Sequence, residues 1–174
     1  MLKLVIADDE RVIRETISTI IDWKQYDIEL VGLCKNGLEA YDAILDESPD
    51  IVLTDIRMPG MDAMELLEKC AELDFPPHFI LLSGYGEFEY AKKAMKYGVR
   101  HYLLKPCNKN QILESIQDVA RTCLQETVKQ HLEQDSFRIA NNMVHNAMFG
   151  ILNDALYQNH SYEDIFRAYE PFLD

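Results

Sequence analysis

A chain of 174 residues with 30 acidic against 17 basic side chains, a net charge of −13 at pH 7, lacks the concentrated basic face that direct grip on nucleic-acid phosphates requires. Its apolar share of 48% supports a real core, yet no apolar run approaches the roughly 18 residues of a membrane span. The length suits one domain of ~120 residues plus an appendage better than two full domains. Cys34, Cys70, Cys107 and Cys123 have no Cys-x-x-Cys or metal-ligand spacing and read as reduced, packed thiols. Met1 leads directly into an apolar run without a leader pattern, so a cytoplasmic location without membrane contact is expected.

Strand-like runs alternate with amphipathic helical stretches over the first two-thirds, the pattern of an α/β fold with a doubly wound parallel sheet. The first strand covers residues 2–7 and delivers Asp8 and Asp9. Glu10 follows at a helix start, where an acid suits the dipole and points away. From Arg11 to Ile21, Val12, Ile13, Ile17, Ile20 and Ile21 recur at helical spacing. After a second strand over 28–33, Asn36 caps a helix carrying Leu38, Tyr41, Ile44 and Leu45, and Ser48-Pro49-Asp50 stops it. The third strand, 51–54, ends on Asp55, with a Met58-Pro59-Gly60 turn and a helix holding Met64, Leu66 and Leu67 beyond it. Phe75-Pro76-Pro77 leads into the fourth strand, 78–83, which ends on Ser83. A helix opened by Glu87 and closed by Gly98 holds Phe88, Ala91, Ala94 and Met95. The fifth strand, 101–104, contains Tyr102 and runs into Lys105-Pro106, and Ile112, Leu113, Ile116, Val119 and Ala120 mark the fifth helix.

Beyond residue 122 the pattern is helical only, which divides the chain into a domain over 1–122 and an extension over 123–174. Leu124, Val128 and Leu132 continue an apolar stripe of the fifth helix, with no Gly or Pro before Ser136, so that helix is expected to run on past the domain. A second stretch is expected from Ser136, with Ile139, Met143, Val144, Ala147 and Ile151 at spacings of three and four. A third is expected from the capping pattern Ser161-Tyr162-Glu163-Asp164 to Tyr169, before Pro171. Residues 126–174 set Lys129, Arg138 and Arg167 against eight acids, so the extension is no basic arm.

The chemistry gathers at the strand ends. Neighbouring carboxylates such as Asp8, Asp9 and Asp55 repel one another, and a hard divalent cation with oxygen ligands is the usual way to keep them ionised. Mg2+ fits because it takes few protein ligands and keeps several waters. The Ser83 hydroxyl and the Lys105 ammonium are what a metal-bound phosphoryl group uses for its remaining oxygens. In an open α/β sheet, ligands bind outside the carboxyl ends of the strands, where all five groups fall. Each alone has an ordinary reading as a solvated acid, a helix cap or a surface lysine, and the weight comes from their shared location. His78, His101, His131, His145 and His160 share neither a helix face nor a spacing with a thiol and read as non-ligands. Gly84-Tyr85-Gly86 lacks the third glycine of a dinucleotide loop.

In order and spacing, Asp8-Asp9, Asp55, Ser83, Tyr102 and Lys105-Pro106 resemble the receiver domain of two-component response regulators over residues 1–122. The resemblance implies a flavodoxin-like sheet in the order 2-1-3-4-5 and a cis Lys105-Pro106 bond. It implies a phosphoacceptor at Asp55, loaded by a sensor histidine kinase, with Lys105 and Ser83 on the phosphoryl oxygens. Mg2+ would be held by Asp9, Asp55 and the backbone carbonyl of Arg57 directly, and by Asp8 chiefly through water. Ser83 and Tyr102 would form the switch, and no substrate is turned over beyond the domain's own phosphorylation and dephosphorylation. The run Tyr85-Gly86-Glu87-Phe88-Glu89-Tyr90-Ala91 looks like regulators that carry a C-terminal AraC-type DNA-binding region. DNA would then be reached through an output region outside these residues, and a homodimer through the C-terminal helices is expected. A rival, a phosphohydrolase resembling haloacid dehalogenases, wants a second acid two residues after the nucleophile, where this chain has Arg57. A second rival, a receiver fold that takes no phosphoryl group and serves as an interaction module, predicts a broken acid set, and none is broken here.

Overall fold

Alternate residues of a strand face opposite sides, so strands that are apolar throughout must be covered on both. The computed structural model, which describes residues 1–84 and 88–157, has such strands at the centre of its sheet. β1 (Leu2–Ala7), β2 (Ile28–Cys34), β3 (Ile51–Asp55), β4 (His78–Ser83) and β5 (His101–Leu104) pair in parallel in the order β2-β1-β3-β4-β5. The helices α1 (Arg11–Ile20), α2 (Gly37–Glu47), α3 (Ala63–Cys70), α4 (Phe88–Ala94) and α5 (Lys109–Tyr157) alternate with them. Short 3-10 turns stand at Trp23–Tyr26 and Met95–Tyr97. This is the doubly wound, flavodoxin-like order that the resemblance implies.

Leu4, Ile6, Ile51, Leu53, Ile80 and Leu82 pack with Ile17, Ile112, Ile116 and Val119, placing α1 and α5 on one face. Val5, Val52, Phe79 and Leu81 pack with Ala40, Ile44, Leu66, Leu67 and Ala94, placing α2, α3 and α4 on the other. Asn36 caps α2 as expected, its side chain accepting from the Glu39 N–H, and Asp62 caps α3 by accepting from Met64 and Glu65. The Asp62 cap is absent from the sequence reading, although Asp three residues before Glu65 is its signature. Gly98 ends the α4 region at φ 81°, a left-handed conformation that glycine adopts without a steric penalty.

Several helix positions differ from expectation. Val12 and Ile20 on α1, Leu38 and Leu45 on α2, and Met95 are exposed rather than packed. The sheet covers only the stripe centred on Ile17 and Ile21 or on Ala40 and Ile44, so apolar residues off that stripe stay in solvent. The expected break at Ser136 is absent, and α5 runs unbroken from Lys109 to Tyr157. A single serine costs a helix only a few tenths of a kcal/mol, and no proline falls within the helix. The expected opening of the fourth helix at Glu87 and the stretch from Ser161 to Pro171 lie outside the described residues.

The chain divides into two compact units, Met1–Cys123 and Leu124–Asp174. In the second, described to Tyr157, Leu124, Val128 and Leu132 are about three-fifths exposed. All four cysteines are free thiols, and burial pushes those of Cys34 and Cys70 up to about 11. Among the described residues no helix is long and apolar enough to cross a membrane.

The first residue of α2, Gly37, meets the segment after β3 so closely that an added Cβ would stand 2.2 Å from the Met61 carbonyl oxygen and 2.8 Å from the Met61 Cβ. Gly37→Ala is therefore expected to lower stability by about 1–3 kcal/mol, the cost of overpacking, read as a fall in the urea unfolding midpoint. An unchanged midpoint would mean that this contact relaxes freely.

Candidate functional site

The parallel register decides which side chains meet. Asp55 lies beside Leu82, and Ser83 beside Leu104. The Ile56 N–H donates to the Leu82 carbonyl at 3.1 Å and the Lys105 N–H to the Ser83 carbonyl at 2.7 Å, so pairing continues one residue past each strand. Asp8 follows β1 and is fixed in the same way, its N–H donating to the Cys34 carbonyl at 3.1 Å. The Lys105-Pro106 bond is cis.

Asp8 is fully buried. One of its oxygens accepts from the Glu10 N–H at 2.9 Å, and the other from the Lys105 ammonium at 2.8 Å. An Arg14 guanidinium nitrogen donates to the Asp8 backbone carbonyl. Asp55, 8% exposed, accepts at one oxygen from the Ile56 N–H at 2.8 Å. Its other oxygen lies 2.9 Å from the same Lys105 ammonium. Asp9 is exposed, and the three acids offer carboxylate oxygens within 4.8 Å of one another. Among the described residues this is the one group of three or more acids, histidines or cysteines close enough to hold a cation. The donor set is all oxygen, as a hard divalent cation prefers.

Burial raises both Asp8 and Asp55 above the usual carboxylate value, and Lys105 only partly offsets it. Burial works against the Lys105 charge as well, but the hydrogen bonds and negative charges of Asp8 and Asp55 more than restore it, and its pKa ends raised. Each group thus favours the charged form of its partners against the cost of burial.

Ser83 is buried, and its hydroxyl donates to the Gly84 carbonyl at 2.9 Å while accepting from the Tyr102 hydroxyl. Tyr102 is half-buried against the layer of α2, α3 and α4. Its hydroxyl therefore reports on the position of Ser83. The side chain of Arg57 leaves the acids and lies over the Tyr90 ring, 5.5 Å from its centre. Glu10 is exposed at the start of α1, as expected, and serves the site only through its N–H.

The acids, Lys105 and Ser83 thus stand together at the strand ends, and Tyr102 reaches the same place from within β5. The backbone donors of Glu10 and Ile56, the Arg14 contact and the Arg57–Tyr90 stacking are missing from the sequence reading. Every residue but proline carries an N–H, so no sequence signal picks out the two that turn inward.

The Lys105 charge is held through a raised pKa, so its contribution to stability is complete below its ordinary value of 10.5 and is lost as the pH climbs past that value. It requires ionised partners, so it also fades as the pH falls through the raised carboxylate values of Asp8 and Asp55. Lys105→Met is expected to cost about 3 kcal/mol near pH 7, as breaking a buried ion pair does. The loss should shrink toward acid pH in urea unfolding without divalent cations. A loss independent of pH would assign Lys105 a packing role instead.

Known proteins place this site in context. The response regulator receiver domain family matches residues 4–117. The chain is 51% identical over 119 residues to the transcriptional regulatory protein YesN of Bacillus subtilis, covering 68% of this chain and 32% of that one. It is 40% identical over 126 residues to the transcriptional regulatory protein HptR of Staphylococcus aureus, covering 72% and 49%. The chain thus spans between a third and a half of the length of these curated relatives. Among solved structures, the receiver domain of AraT, a response regulator from Geobacillus stearothermophilus, superposes with a TM-score of 0.68 at 37% identity, over 72% of this chain and 98% of that one. A two-component transcriptional regulator AraC from Clostridium phytofermentans gives a TM-score of 0.68 at 31% identity, over 73% and 98%. With the family matched over most of its length and its fold and strand-end residues in place, the chain belongs to the response regulator receiver domain family.

Proposed function

We propose that residues 1–122 act as a phosphoacceptor receiver that takes a phosphoryl group from a sensor histidine kinase onto Asp55. The observation that carries the reading is the Lys105 ammonium set between two buried carboxylates, 2.8 Å from Asp8 and 2.9 Å from Asp55, with exposed Asp9 beside them. In the transfer, a bond forms between a carboxylate oxygen of Asp55 and phosphorus as the bond from phosphorus to the kinase histidine breaks. Lys105 holds one phosphoryl oxygen and Ser83 another. Mg2+ fits the acid set and, when bound, neutralises charge developing on the transferring group. Asp9, Asp55 and the Arg57 carbonyl would ligate it directly. Asp8 would act chiefly through water. A module that serves only as an unphosphorylated docking surface gains no support from a site with every one of these groups present.

A phosphoryl group adds a charge of about −1.5 to −2 at Asp55. It offers the Ser83 hydroxyl a stronger acceptor than the Gly84 carbonyl that it bonds in this structure. Tyr102, bonded to Ser83, follows, and the surface of α4, β5 and α5 changes with it. The relatives are named transcriptional regulatory proteins and are two to three times as long as the matched region. This supports an output region that binds DNA, with residues 123–174 as the start of the connection to it.

Incubation with acetyl phosphate and Mg2+ should add one phosphoryl group by intact mass, and Asp55→Asn should add none. Equal labelling of that variant, or labelling unaffected by chelating Mg2+, would sink the assignment.

The exposed Leu124, Val128 and Leu132 supply an apolar stripe for pairing of two copies through their C-terminal helices. In sedimentation at tens of micromolar the full chain should show a dimer that a version ending at Thr122 loses. Monomers for both, with and without beryllofluoride, would remove the extension as a pairing element.

A further inference from the structure

α4 is only seven residues long, Phe88–Ala94, and several of its attachments to the rest of the domain fall among the described residues. Ala94 is buried, the Tyr97 hydroxyl just beyond the helix donates to the Glu68 carboxylate at 3.3 Å, and Tyr90 packs half-buried on the core. The Tyr90 ring also receives two cations. The Lys93 ammonium, from the same helix, lies 5.9 Å from the ring centre, and the Arg57 guanidinium, from the segment after β3, lies 5.5 Å from it. Arg57 is the second residue past Asp55, so one guanidinium spans from the acceptor segment to the first turn of α4.

We propose that Arg57 is a positioning residue that couples the charge on Asp55 to α4, resting on Tyr90 while Asp55 is a free carboxylate and turning to the phosphoryl group once Asp55 carries one. The inference rests on the phosphoacceptor reading. The balance of forces favours the turn, because a cation over a ring near the surface is held weakly, whereas a guanidinium bonded to a phosphate-like anion makes charge-assisted, often paired hydrogen bonds. Before modification the Asp55 carboxylate competes poorly for Arg57, since its two oxygens already accept from Ile56 and pair with Lys105. Once Arg57 leaves, Tyr90 keeps, among the described residues, the cation of its own helix, and α4 loses a tie to the acceptor segment.

Amide hydrogen exchange at Lys92–Tyr97, measured on the full chain with Mg2+ and with or without beryllofluoride, tests this. In the unmodified sequence, exchange should speed up about two- to fivefold with beryllofluoride, the factor that a cation–π contact at an exposed site is worth. Arg57→Gln and Tyr90→Leu should each exchange at the faster rate from the start and respond no further, and Arg57→Lys should recover part of the response. An Arg57→Gln protein that responds as fully as the unmodified one overturns the coupling while leaving the acceptor assignment intact. A bound-fluoride signal in the 19F spectrum separates the two ideas. If the unmodified chain gives none with Mg2+, the phosphoacceptor reading fails and this inference fails with it.

Discussion

Two carboxylates buried at the ends of adjacent strands are held in their charged form by a positive charge between them, and Lys105 supplies it from the end of β5, at the same edge of the sheet. That constraint organises much of the rest. The parallel register of β1, β3, β4 and β5 must bring Asp8, Asp55, Ser83 and Lys105 to one end, and the backbone pairing that continues past β4 and β5 holds Lys105 level with Ser83. A slip of one residue in any of these strands would exchange the side chains its two covered faces present and remove a charged group from the cluster. Core packing and site assembly are therefore the same requirement.

The strands and the charged ends were legible because a run such as Ile51-Val52-Leu53-Thr54, apolar on both faces, has few other places to go than the middle of a covered sheet. Whatever polar residue ends such a run is delivered to the carboxyl edge. Helix faces were harder. Periodicity locates apolar residues such as Val12, Ile20 and Met95 but does not say how wide a stripe the sheet will cover, and these three lie outside it. Nor could spacing reveal that Asp8 is satisfied by the Glu10 N–H, or that Arg57 turns from three acids to a ring. Those outcomes depend on backbone direction at a strand end, which no single residue type encodes.

α5 illustrates a different limit. Its first turns read clearly from Ile112, Ile116 and Val119, which the sheet buries. Past the sheet, Leu124, Val128, Leu132, Val144 and Met148 are exposed, so at these positions intrinsic preference and the lack of a proline, rather than a core, account for the helix. A sequence read for breaks at polar residues such as Ser136 overstates what a serine can do against forty-nine residues of helix.

The double commitment of Asp8 bears on which cation the proposed site prefers. Both its oxygens are engaged, one by a backbone N–H and one by Lys105, and each Asp55 oxygen also has a partner. About half of the lone-pair sites on these two carboxylates are taken, which leaves direct ligation to the remainder and to exposed Asp9. Calcium, which gathers six to eight oxygens at roughly 2.3–2.6 Å, finds a poor cage here, whereas a small ion that keeps most of its water needs only one or two carboxylates. Selectivity would then come from scarcity of ligands, so that the hydrogen bonds that satisfy the buried acids also keep the larger and more loosely hydrated ion out.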